Sequence, residues 1–268
     1  MPICRLDRTI ISLKGDDVAG FLNGLITNSL NSDLTFAALL TPQGKVIADF
    51  FVHRLADDHL VLETAEKFGT VLLLRLKIYK LRAKIDIKDI SADYDVYALW
   101  DGKGKVGLTD PRRAELGQRF LTESAGLSPE HTPEDYDLHR LSLGIPDSTW
   151  DFDTEQMFPA DANMDLLNGV DYKKGCFIGQ EVVSRMHRKT AVRKRMRAVK
   201  LSSSAEAGDA LKAGGRTIGT LNHVRPVDGK NDMGIALVRL DRLASTTDSV
   251  TVNDTPFEIL EPNYEPQS

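Results

Sequence analysis

From Lys194 onward the helical pattern stops, and the sequence breaks into short apolar runs separated by glycine-rich turns. Residues 195–201, 216–224, 233–239, 249–252 and 257–260 each read as a strand. Five short strands over about 75 residues predict a small barrel-like domain. Its boundary falls near Val192, which divides the chain into residues 1–192 and 193–268.

The longer first part is mixed. Residues 5–13, 36–40, 45–55 and 59–64 read as strands, and residues 82–90 alternate apolar and polar. Further short strands are expected at 94–100, near 105–108 and at 118–122. Asp16 or Asp17 can cap a helix with Val18, Phe21, Leu22, Leu25 and Ile26 on one face. Thr41-Pro-Gln-Gly44 forms a turn, because Pro presets one dihedral and Gly permits the unusual one. Residues 66–81 predict a helix whose core stripe is Val71, Leu74, Ile78 and Leu81. Residues 133–144, with Pro early and Gly late, and residues 179–188 predict two more helices. Between them, 146–159 is irregular and acidic, carrying Asp147, Asp151, Asp153 and Glu155, and the tail from Pro262 looks frayed. Many strands interleaved with few helices predict an α+β fold with largely antiparallel sheet.

A chain of 268 residues can bury one large core, or one large and one small, without disulfides or structural metals. It has two cysteines, Cys4 and Cys176, and no Cys-x-x-Cys pair, which excludes a zinc ribbon or a redox dithiol. No apolar stretch approaches the length that crosses a bilayer. The first residues resemble neither a signal peptide nor a transit segment, so a cytoplasmic, reducing location is expected. Nucleotide-loop, nucleophile-elbow, zincin and Rossmann signatures are absent.

The net charge of −5 hides a concentration. Between Lys173 and Lys200 ten Lys or Arg face one acid, Glu181, leaving the rest of the chain at about −14. Such a segment either focuses an anionic ligand or forms a solvated face that meets acidic loops. Cys176 lies within it, just before the helix expected at Gly179, where Lys173, Lys174 and the helix N-terminus favour a thiolate. The competing reading is a small buried hydrophobe beside turn-shaping glycines. His187 is eleven positions on, roughly 16 Å along a helix, which argues against a local Cys–His dyad. Asp49 suits either a heterocycle's amino groups or a structural hydrogen bond. Trp100 reads as core, while Trp150, in the acidic loop, can stack on a flat ligand. His53, His59, His131 and His139 show no metal-ligand spacing.

One segment is specific. Lys174-Gly-Cys-Phe-Ile-Gly-Gln-Glu181, continued by Val182-Val-Ser-Arg185, resembles the signature of the YgfZ family, with Phe177 in place of the usual Tyr. These are folate-binding iron–sulfur cluster assembly or repair proteins related to the glycine-cleavage T-protein, an aminomethyltransferase. Asn163-Met-Asp165, Gly169-Val170 and the pair Arg193 and Arg195 are similar to the family as well. So are the N-terminal stretches Gly15–Asn28 and Leu40–Phe50, and the likeness spans essentially the whole chain. Two departures stand out. Ala48-Asp49 replaces the Asp-Asp of true aminomethyltransferases, and Ser29 stands where many relatives have Asp.

The resemblance implies an aminomethyltransferase-like folate-binding module, of ferredoxin-like and related β-rich parts, with a C-terminal β-barrel domain. It implies tetrahydrofolate or a derivative in a central cavity and no stably bound metal. Asp49, Lys174, Gly179, Gln180, Glu181, Arg185 and Arg193 become the expected folate-binding residues, with Arg188 and Lys189 as further partners for glutamate carboxylates. Cys176 becomes the functional thiol. Partners are then iron–sulfur client enzymes, including tRNA-modifying ones, or cluster assembly proteins. The alternative is a folate-dependent aminomethyltransferase or other one-carbon transferase. Direct nucleic-acid binding is disfavoured, since the basic stretch offers only Tyr172 and Phe177 for stacking.

Overall fold

The computed structural model describes residues 2–102, 104, 106–124, 129–189, 192–202 and 205–264. Its elements run β1 (Ile3–Leu6), β2 (Arg8–Lys14), α1 (Val18–Asn23), β3 (Leu34–Leu40), β4 (Val46–Ala56), β5 (His59–Ala65) and α2 (Glu66–Lys80). Then follow β6 (Asp86–Asp89), β7 (Tyr94–Leu99), β8 (Leu108–Thr109), β9 (Gln118–Glu123), α3 (Pro133–Ser142) and α4 (Gln180–Lys189). The last stretch holds β10 (Lys194–Leu201), β11 (Ala210–Ala213), β12 (Arg216–Pro226), β13 (Asp232–Arg239), α5 (Leu240–Leu243), β14 (Val250–Val252) and β15 (Thr255–Leu260).

The expected α+β architecture holds. A five-stranded sheet has the order β3-β4-β5-β2-β6, and a four-stranded sheet the order β1-β7-β9-β8. The last six strands close into a barrel, β10-β13-β12-β11-β14-β15. Its interior is filled by side chains such as Val199, Leu211, Leu221 and Ala236, so no hydrogen-bonding edge is left open. Residues 5–13 are not one strand: Asp7 interrupts them, and β1 and β2 join different sheets. This crossover ties the two sheets together. β11 escaped the sequence reading because Ala-Leu-Lys-Ala is short and has little β-branching. The strand expected near 105–108 begins at Leu108, and Lys105 lies outside the described residues.

α2 forms where expected, but it buries a different face. Phe68, Leu72 and Leu76 pack on the five-stranded sheet, and each fully buried Leu contributes roughly 1.5–3 kcal/mol. Gly69 sets the approach: a Cβ there would stand 2.2 Å from the Thr9 hydroxyl on β2. Leu74, Ile78 and Leu81, read as core, are 56%, 62% and 87% exposed. α3 has the start its sequence encodes. Thr132 accepts from the Asp135 backbone N–H, Asp135 accepts from the Thr132 N–H, and Pro133 opens the first turn.

The sheet face opposite α1 and α2 carries Phe36, Ala38, Phe51, Asp49 and His53, and residues 146–177 and the barrel cover it. The tail is not loose over its described part. Tyr264 is buried and donates to the Gly144 carbonyl at 2.6 Å, while residues 265–268 lie outside the described set.

Candidate functional site

Cys176 is a free, exposed thiol on the loop that leads into α4. The loop is fixed by the N-terminal segment after α1. Thr27 Oγ1 donates to the Gly169 carbonyl at 2.6 Å, and Asn28 Nδ2 to the Asn168 carbonyl at 2.6 Å. Ser29 donates to Asp171 at 2.5 Å, which helps hold that carboxyl below its ordinary range. Ser29 thus does structural work where relatives carry an acid.

Lys174 closes the same seam. Its ammonium donates to the carbonyls of Asn23, Ile26 and Asn28 at 2.8, 2.7 and 3.0 Å. These acceptors lie at the end of α1 and just beyond it, where helix carbonyls lack partners. Burial pulls the Lys174 pKa down to about 8. The lysine expected to steady a thiolate or hold a folate therefore directs its charge into the loop's anchor. Gly179 has φ +80, and a Cβ there would stand 2.7 Å from the Thr41 carbonyl. Only glycine lets the start of α4 pack on the Thr41–Gly44 turn.

α4 presents Glu181, Arg185 and Arg188 to solvent and buries Val183. Gln180 is half-buried in its first turn. Arg193, just before β10, is exposed. The basic segment is thus divided. Lys174 and Arg195 are committed inward, the latter through a two-bond pair with Asp165 at 2.8 Å on both sides. Asn163, at φ 57, donates to the Met196 carbonyl and to Tyr264. The Asn163-Met-Asp165 and Arg195 motifs are in this way one hinge pin between the barrel and the rest. Lys173, Arg185, Arg188, Arg193, Lys194 and Lys200 remain exposed. The side chain of Lys189 lies outside the described residues.

Asp49 sits elsewhere, in a buried charged network that the sequence did not announce. It accepts a short hydrogen bond from Ser148. Burial and the neighbouring Asp147 push its pKa up to about 6, in spite of Arg8 and Arg112. Around it, Arg112 bonds Asp110 at 2.9 Å and Asp147 at 3.1 Å. Arg119 pairs with Glu63, which also meets His53 at 3.0 Å and Arg8 at 3.0 Å. The guanidiniums of Arg119 and Arg112 lie 4.1 and 4.9 Å from the centre of the Phe51 ring. Burial raises the pKa of Glu63, but Arg119, His53 and Arg8 more than offset it and hold it ionised. Asp147 is held low in the same way by Arg112, Arg8 and Arg140. These residues come from β2, β4, β5, β9 and two loops. No spacing rule links them, so Asp49, His53 and Asp147 stand out in the sequence only one by one and not as neighbours.

Cys4 lies buried on β1, and burial pushes its thiol up to about 12, so it is inert beside Cys176. Trp100 is core, as expected. Trp150 is half-buried, 6.2 Å from His223 in a stacked arrangement, with Arg140 5.3 Å from its ring. It borders a small groove together with Arg8, Tyr136, Asp147 and Thr149.

A solved glycine cleavage system aminomethyltransferase T from Bartonella henselae superposes with a TM-score of 0.75 over 96% of this chain and 83% of that one, at 15% identity. The fold is that of aminomethyltransferase T. Residues 193–267 match the CAF17 C-terminal beta-barrel domain. The chain is 29% identical over 218 residues to the iron–sulfur cluster assembly factor IBA57 homolog, mitochondrial, of Mycosarcoma maydis. That match covers 70% of this chain and 54% of the relative, so the chain spans about half the length of that protein. Human mitochondrial iron–sulfur cluster assembly factor IBA57 is 28% identical over 284 residues, 89% of this chain and 78% of its own length. The iron–sulfur part of the resemblance thus rests on relatives named IBA57 rather than YgfZ. Their names also overturn the cytoplasmic expectation. They are mitochondrial proteins, which points to mitochondria rather than cytoplasm.

Among the described residues no helix is long and apolar enough to cross a membrane.

Proposed function

We propose that this chain is an accessory protein for assembly or repair of iron–sulfur clusters in client enzymes, tRNA-modifying ones among them, and that it binds tetrahydrofolate. Residues 1–192 act as the folate module and residues 193–268 as the barrel that closes against it. The observation that carries the reading is Cys176. It is exposed, while the loop that bears it is clamped by Thr27, Asn28, Ser29 and Lys174. A loop built to fix one accessible thiol suits transient contact with a cluster or with a client's metal site. One thiolate cannot fill a four-thiolate site, so the partner supplies the other ligands.

For folate, the supporting feature is Asp49. It is a fully buried carboxyl raised to about 6 although two arginines stand near it. A buried acid near the point of ionisation gains from an added N–H donor, which the ring of a pterin supplies. Gln180 and Glu181 offer hydrogen-bonding groups, and exposed Arg185 and Arg193 fit the glutamate carboxylates. Lys174 and Gly179 contribute only through the shape of the loop. Calorimetric titration of tetrahydrofolate and its methylene and formyl derivatives, done anaerobically, tests this part. Micromolar binding that weakens in R185A/R193A supports it, and no heat with any folate removes it. The assembly role is tested separately, by client reconstitution with wild type and C176S.

A further inference from the structure

α2 is apolar on two sides. Phe68, Leu72 and Leu76 face the sheet, and that face alone accounts for its docking. The opposite side carries Leu74, Ile78 and Leu81 at i, i+4 and i+7, exposed by 56%, 62% and 87%. Aligned exposed aliphatics are different from the single exposed leucines any surface carries. A second apolar stripe left in solvent beside a sealed one is a surface on which a partner can bury further area.

Leu81 adds a second, independent cost. It caps α2 at φ 43, ψ −105, a backbone region where glycine is the ordinary residue. A leucine held in that backbone conformation lowers the stability of the free chain, and its exposed side chain gains nothing from burial to offset the strain. Among the described residues neither feature is covered by another part of the fold.

The charge around the ridge is one-sided. Between Glu66 and Asp86 there is no carboxylate, while Lys67, Arg75, Lys77, Lys80, Arg82 and Lys84 supply six cations. Lys67 reaches Asp153 at 2.9 Å and Arg75 reaches Glu155 at 3.7 Å. Lys77, Lys80, Arg82 and Lys84 make no ion pair among the described residues. Lys77 and Lys80 favour the helix C-terminus, but that role needs neither Arg82 nor Lys84 beyond it.

We propose that the outer face of α2 docks an acidic amphipathic helix of a partner protein, with Leu74, Ile78 and Leu81 seated between its apolar side chains and the cations meeting its carboxylates. A ridge of this spacing, roughly 10 Å long at 1.5 Å per residue, fits the groove of one helix. Two copies of this face would oppose cation to cation, which disfavours a homodimer here. A membrane-lying helix presents a broad apolar face with Trp or Phe, whereas the other side of α2 is sealed on the sheet and only aliphatics project. The proposal does not depend on the role given to Cys176.

The test uses the full-length protein and a display library of helical peptides with stripe and flanks both randomised. The binders are re-measured by fluorescence anisotropy against wild type, L74S/I78S, K77E/R82E and L81G. The expected result is enrichment of Leu/Ile stripes flanked by Glu or Asp. Their affinity falls at least tenfold in L74S/I78S and in K77E/R82E, and drops at high salt. L81G binds more weakly yet resists urea better than wild type, separating docking from folding. The proposal is overturned by no enrichment, or by binders indifferent to these substitutions. Binding of phosphatidylglycerol vesicles in place of peptides also overturns it, as does self-association in sedimentation that L74S/I78S abolishes.

Discussion

Replacing Asp49 by Asn should make the protein more stable at neutral pH. Asp49 is fully enclosed, and its pKa is raised from 3.8 to about 6. At about 1.4 kcal/mol per unit, ionising it in the folded state costs about 3 kcal/mol relative to the unfolded chain. The folded carboxyl binds more protons than the unfolded one between about pH 4 and 6. Its favourable contribution is therefore complete below about pH 4 and is lost as pH rises through 6. Asn has the shape of the protonated acid and can still accept from Ser148. Urea unfolding of both proteins from about pH 4 to about pH 7.5 should give curves that coincide at the acid end. They should separate by about 3 kcal/mol at the neutral end, with Asp49→Asn the more stable. A D49N protein less stable than wild type at every pH would refute the reasoning. It would mean that Arg8 and Arg112 stabilise the charge more than burial penalises it. A buried residue that costs stability once ionised is what a ligand-binding acid should look like.

Three further results are expected. Lys174→Met removes three charge-assisted hydrogen bonds. Backbone hydrogen exchange in residues 168–179 should then speed up by roughly 10- to 100-fold, as the loss of about 1.5–3 kcal/mol requires, while the barrel is unchanged. Gly179→Ala places a methyl 2.7 Å from the Thr41 carbonyl at a left-handed backbone, and should lower the urea midpoint by an amount worth about 2 kcal/mol. Iodoacetamide should modify one thiol per folded chain, Cys176, and reach Cys4 only after unfolding; rapid double labelling of the native protein would contradict the burial of β1.

The sequence carried the parts of the fold that depend on local pattern. The barrel strands alternate, their turns are glycine-rich, and the loop around Cys176 has a motif of its own. Four of the matched motifs proved to be parts of two joints. Thr27-Asn28 binds the loop of Lys174, and Asp165 of Asn163-Met-Asp165 binds Arg195. Their partners lie thirty positions away in one joint and well over a hundred in the other, so proximity could not be read from spacing. The stripe of α2 was misassigned for a plain reason. Two apolar faces alternate on that helix, and periodicity alone does not say which one the sheet takes. The Asp49 network was invisible because arginines such as Arg112 and Arg119 read as surface residues until three separate carboxylates are brought to them.

The most direct test of the central claim is reconstitution of a [4Fe–4S] client enzyme from its apo form with assembly components present. Recovery of its activity is followed with wild type, with C176S, and without this chain. The account predicts that wild type raises the recovered fraction and that C176S, folded and equally stable because Cys176 is exposed, falls to the level without the chain. Full rescue by C176S would contradict the role given to the thiol, and no effect of wild type would contradict the accessory function itself.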